Sequence, residues 1–139
     1  MKLLAFLGIL FFVPVPQTVE LTITTSVAQA GKMHLAVYNS SEGFKARAEV
    51  LSVVRTTSGA PVSLQVELPG AGDYVLAAFH DLNGNGELDV NMLGIPTEPY
   101  GFGQVPPSKW REPDFREIAT SVVTGRANAT IVLKKWKEY

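Results

Sequence analysis

The sequence predicts an all-β fold, an antiparallel β-sandwich of about seven short strands. Apolar and polar residues alternate with period two in stretch after stretch, as strands with one buried face do. Turn-forming residues break these stretches at short intervals. No segment sustains the 3.6-residue apolar stripe of an amphipathic helix.

Composition narrows the class. A chain of 139 residues suits one domain. Its 46% apolar content is too high for a disordered segment. A formal net charge of -1 excludes a chain built to coat nucleic acid, so no nucleic-acid partner is expected. The chain has no cysteine, which removes disulfides, thiolate metal sites and thiol nucleophiles together. His34 and His80 are the only histidines.

The elements follow in chain order. Residues 1–17 read as a signal peptide: Lys2 supplies the positive start, and Leu3 to Val13 form an apolar run of signal-peptide length that Pro14 and Pro16 end. That run is too short to span a bilayer, so no transmembrane span is expected in the mature chain. Residues 18–139 form the single domain, expected to be periplasmic or secreted. Leu21, Ile23, Thr25 and Val27 mark the first strand; Met33, Leu35 and Val37 the second. The β-branched run Glu49–Arg55 is the third. Val62, Leu64, Val66 and Leu68 give the cleanest alternation in the chain. Val75, Ala77 and Phe79 follow, then Ser121–Thr124, and last Ala129, Ile131 and Leu133. Phe44–Glu49 is expected to form at most a helical turn. The turn Leu68-Pro69-Gly70-Ala71-Gly72-Asp73-Tyr74 resembles the one before a central strand in prealbumin-like and collagen-binding-B-type sandwiches.

After the fifth strand stands Asp81-Leu82-Asn83-Gly84-Asn85-Gly86-Glu87-Leu88-Asp89. Calcium needs six to eight oxygens, and this loop offers them at the spacing of a calcium loop. Asp81, Asn83 and Asn85 occupy positions 1, 3 and 5; Gly86 gives the sharp turn at position 6. Glu87 offers its carbonyl, and Asp89 binds directly or through water. Position 12, usually a bidentate Glu, is Met92, and no helix flanks the loop, so it is not an EF-hand. Glu98 and Asn91 are placed to fold back with further oxygens. The same residues also read as a metal-free hairpin, because Asn83-Gly84 and Asn85-Gly86 are turn dipeptides and Asx side chains cap turns unaided.

The stretch Ala77–Asn91 with Gly94-Ile95-Pro96-Thr97-Glu98-Pro99-Tyr100-Gly101-Phe102 resembles an exported bacterial family, domain of unknown function 2141. That family carries H-D-x-N-x-N-G-x-L-D-x-N and then G-x-P-x-E-G-Y-G-F-S. Pro99 and Gly103 stand here where Gly and Ser are usual. Leu35–Ser40 and Pro113-Asp114-Phe115 resemble two further family segments. The resemblance implies a signal peptide and an immunoglobulin-like sandwich. It implies no activity.

Between Leu93 and Glu117 runs a long segment rich in proline and aromatic residues. Loops of this length are usually functional or packed on themselves. Tyr100, Phe102 and Trp110 either form a platform for a glycan or small molecule, or plug the open end of the sandwich. His34 is expected on the outer face of its strand, and His80 at the end of its own. No nucleophile elbow or phosphate-binding glycine loop occurs. Three functions follow: an exported non-enzymatic binding or accessory module stiffened by calcium, with an envelope protein or glycan as partner; a small-molecule or glycan binder using the aromatic segment; or a hydrolase using His80 with Asp81 or Glu98.

Overall fold

The computed structural model describes residues 9–139. Of the segment read as a signal peptide, residues 1–8 lie outside the described residues. Residues 9–16 form neither helix nor strand, and Ile9 to Val13 are exposed. Among the described residues, no helix is long and apolar enough to cross a membrane.

Among the described residues, eight strands form two sheets that share one apolar core. Strand β1 is Gln17–Thr25, β2 Gly31–Tyr38, β3 Leu51–Thr57 and β4 Val62–Leu68. β5 is Gly72–Asp81, β6 Tyr100–Phe102, β7 Thr120–Val122 and β8 Arg126–Leu133. The smaller sheet has the order β4-β1-β8. The larger has the order β3-β2-β5-β6, with β7 also paired to β5. The chain is thus mostly strand in two layers, as the alternation predicts. Two features differ from an all-antiparallel set of about seven. β1 and β8 run parallel, with Leu21 opposite Ala129 and Ile23 opposite Ile131. The extra strand is β6, which lies in the segment read as loop.

Alternation builds the core directly, except on β5, where Leu76 and Ala78 face it and the set expected from the sequence, Val75, Ala77 and Phe79, lies on the other face. Leu21 and Ile23 of β1, Leu68 of β4 and Ile131 and Leu133 of β8 point inward from the small sheet. Met33, Leu35 and Val37 of β2 and Leu76 and Ala78 of β5 meet them from the large one. Burying a side chain of this size contributes about 1.5–3 kcal/mol.

Two short helices cover part of the large sheet's outer face. Helix α1, Ser41–Ala46, starts where the Ser40 hydroxyl accepts the Gly43 N–H and stops at Arg47 in left-handed conformation. It begins three residues before the helical turn predicted at Phe44, because Ser40 supplies the cap. Helix α2, Phe115–Ile118, is capped at Asp114, whose N–H donates to Glu117. Phe44, Phe115 and Ile118 pack on Tyr38 and Val75 as a second apolar cluster.

Candidate functional site

Strand register explains what the outer face presents beyond those helices. On β2 the residues between the inward Met33, Leu35 and Val37 are His34 and Ala36. Opposite them on β5 are Phe79 and Ala77, and beyond these on β6 are Tyr100 and Phe102. Two rows result. Ser52, Ala36, Ala77 and Phe102 form one; Val54, His34, Phe79 and Tyr100 form the next. The first row is small over three strands and the second is bulky. A cleft of about 830 Å³ lies over these rows, lined by all of the first and by His34, Phe79 and Tyr100 of the second. Its volume falls within the range usual for small-molecule sites.

The long aromatic segment forms one wall of this cleft. Tyr100, Phe102 and Trp110 all line it, so the three residues marked as a ligand platform are brought together. Tyr100 and Phe102 belong to the sheet itself and do not plug the end of the core. The Tyr100 ring stacks on Tyr139 at 5.0 Å, and burial pushes its phenol up from the usual range. Trp110, at 78% exposure, stands edge-on to Trp136 at 4.9 Å. Leu93, Gly94 and Ile95 line the cleft from the adjoining loop.

Each cation at the cleft has an internal partner. Arg47 pairs with Glu112. Arg111 donates to both carboxylate oxygens of Glu117 at 2.8 and 2.6 Å. That contact, with the Asp114 N–H, holds the Glu117 carboxyl down at about 2. Lys109 donates to the Tyr139 main-chain oxygen at 2.8 Å and lies 4.4 Å from the centre of the Trp136 ring.

The Asx-rich loop adjoins the cleft through Gly86 and Leu88, and Asp81 lies behind it, bonded to the cleft residue His34. The Asp81 carboxylate has no exposure. Oδ1 accepts the Gly84 N–H at 2.7 Å, and Oδ2 accepts the Gly86 N–H at 2.9 Å and His34 Nε2 at 3.2 Å. Burial pushes this carboxyl up, but the Gly86 and Gly84 N–H groups and His34 together outweigh it and hold it below its usual range. Gly84 and Gly86 have φ of 75° and 83°, which favours residues without Cβ. On the exposed side, Asn83 and Asn85 both donate their amides to Asp89. Their own carbonyl oxygens accept the N–H groups of Asn85 and Glu87. Glu98 does fold back. It is 4% exposed, and its two oxygens accept the Leu82 N–H at 2.8 Å and the Asp89 N–H at 3.2 Å. Asn91 instead turns its own hairpin, accepting N–H groups from Leu93 and Ile95. Among the described residues, no three His, Asp or Glu side chains are grouped as a metal site would need. Asparagine and main-chain oxygens supply the rest of this loop's donor set.

The two histidines part company. His80 lies one residue before the end of β5 and points inward, with no exposure, its Nδ1 3.2 Å from Thr25 Oγ1 and its Nε2 unpartnered among the described residues. The histidine that meets Asp81 is His34, on the outer face. Alternation alone placed His34 outside, but only the register shows it diagonal to Asp81.

Burial is the largest influence on His80 and pushes its imidazole below the usual range, against Glu98 and Asp81, which push it up. The unfolded chain therefore takes up this proton first as pH falls. Stability is full above the ordinary histidine value of 6.5 and falls as pH drops through it toward the lowered folded value. Urea titrations from about pH 7.5 to about pH 5 should show this loss, and His80→Gln should flatten it. An equal slope in both proteins would contradict the assignment.

Neither a curated protein nor a solved structure matches the chain. Residues 21–131 match the family described as an uncharacterised protein conserved in bacteria, domain of unknown function 2141. That span runs from β1 to β8 and contains the loop, β6 and most of the cleft wall. The chain belongs to the domain of unknown function 2141 family.

Proposed function

We propose that this protein is an exported, non-enzymatic binding module whose ligand site is the aromatic cleft, and that its two-sheet fold is an immunoglobulin-like sandwich. The ligand is a small neutral molecule or a sugar ring. One observation carries the reading: a cleft of about 830 Å³ on an alanine floor, walled by aromatic side chains. Its walls combine apolar and aromatic side chains with polar ones, as small-molecule sites do. The cations at its edge are already engaged by Glu112, Glu117 and the Tyr139 main-chain oxygen, which favours a neutral ligand over an anionic one. Export rests on the Lys2–Val13 pattern.

Both tryptophans of the chain line the cleft, so intrinsic fluorescence reports on it. A panel of neutral glycosides and small aromatic compounds should include one that changes this emission saturably. Trp110→Ala should weaken that ligand by about tenfold, the loss of one exposed aromatic face. Silence across the panel would count against the cleft.

A second reading gives the Asp81–Asp89 loop to calcium. It is favoured by the grouping of Asn83, Asn85 and Asp89 on the exposed side of the loop; calcium would displace the two amide N–H groups that face Asp89 and turn the asparagine oxygens to itself. Calcium would then stiffen the loop beside the cleft. Millimolar calcium should raise the melting temperature by mass action, and Asp89→Ala should abolish the rise. A melting temperature indifferent to calcium would leave the loop as a hairpin closed by its own hydrogen bonds.

A further inference from the structure

The cleft contains one polar group whose chemistry is fixed from behind. Asp81 carries no exposure and, ionised, can only accept hydrogen bonds. The proton it shares with His34 therefore sits on His34 Nε2. In the neutral ring this leaves Nδ1 as an acceptor with a free lone pair. Among the described residues, Nδ1 has no partner. It is not among the buried unpartnered atoms either, so solvent reaches it. The ring cannot tumble, because it stacks on Phe79 at 4.6 Å with an interplanar angle of 9°. It stands beside the alanine floor, two residues before Ala36 on the same face.

We propose that His34 is the specificity-determining contact of the cleft, its Nδ1 accepting a hydrogen bond from a hydroxyl or N–H group of a neutral ring ligand. The assignment rests on the cleft being a ligand site. Asp81 is the positioning residue, since it sets both the tautomer and the tilt of the ring. The alanine floor receives the apolar face of the ligand, and His34 reads the polar substituent at its edge. A ligand offering only an acceptor there would leave Nδ1 and its own oxygen facing each other unpaired.

Matched probes separate the two claims. 2-Naphthol and 2-methoxynaphthalene share a ring system, but only the first can donate. At about pH 8, 2-naphthol should bind wild type about fivefold more tightly, the worth of one neutral hydrogen bond. His34→Phe keeps the flat ring over Phe79 and removes Nδ1, so it should bind both probes equally. The wild type, labelled with ¹⁵N at histidine, provides a measurement that does not depend on the variant folding. Its spectrum should show the Nε2–H tautomer at His34, and 2-naphthol alone should shift the Nδ1 resonance. Binding of both probes with no preference in wild type, a preference that survives His34→Phe, or an Nδ1–H tautomer would overturn the role of His34 while leaving the cleft in place. Binding of neither probe would instead remove the cleft reading and this assignment with it.

Discussion

Asp81→Ala is expected to destabilise the protein by about 3 kcal/mol, enough to lower the melting temperature by about 10 °C. The carboxylate is buried and is the common acceptor for Gly84, Gly86 and His34. Removing it leaves three donors without a partner at the junction of β5 and the loop. Water reaches the glycine N–H groups, which keeps the loss below the sum of three charged hydrogen bonds. Asp81→Asn should recover little, because an amide offers one acceptor oxygen where three donors converge. Hydrogen exchange would localise the damage. Gly84 and Gly86 should lose protection in the variant while β1 and β4 keep theirs. Uniform loss across both sheets, or a melting temperature unchanged within about 2 °C, would contradict this role.

Gly101→Val is expected to cost a similar amount, about 3 kcal/mol, by overpacking. Gly101 lies at the centre of β6, where a Cβ would come within 2.6 Å of the Val132 main-chain oxygen on β8. The obstacle is backbone and cannot swing aside. Beside it, Tyr100 exchanges two main-chain hydrogen bonds with Lys134, at 3.0 and 2.9 Å, so β6 is held against the other sheet's last strand. Forcing the two apart moves Tyr100 and Phe102, and with them a wall of the cleft. Both stability in urea and affinity for any ligand of the cleft should therefore fall together. Retained affinity in a destabilised Gly101→Val protein would show that the wall does not depend on this close approach.

The core was legible because its strands have one face buried. Val62–Leu68 alternates over its whole length and is a strand over those same residues. β6 was not legible, since three residues are too few to show a period and the middle one is glycine. The parallel pairing of β1 with β8 joins segments near opposite ends of the chain, and alternation says nothing of partners. The cleft was half legible. Tyr100, Phe102 and Trp110 stand out by composition, but the floor they overlook consists of Ala36 and Ala77, residues without a distinctive signal. The space over them arises from register, which sets small residues side by side on neighbouring strands. Glu98 shows a further limit. Its return to the loop was foreseeable, but its carboxylate binds two main-chain N–H groups, and those donors have no signature in sequence. His34 and Asp81 lie 47 positions apart and meet only because β2 and β5 pair in the observed register.

The claim that the outer-face cleft is the ligand site is tested most directly by mapping a bound ligand onto the chain. A ¹⁵N-labelled protein titrated with the ligand that changes the tryptophan emission, or with 2-naphthol, should shift the amides of Ser52, Ala36, Ala77 and Phe102 and the indole N–H of Trp110. The amides of β4, on the far sheet, should stay in place. Shifts confined to β4 and β1, or to the Asn83–Asp89 loop alone, would contradict the account.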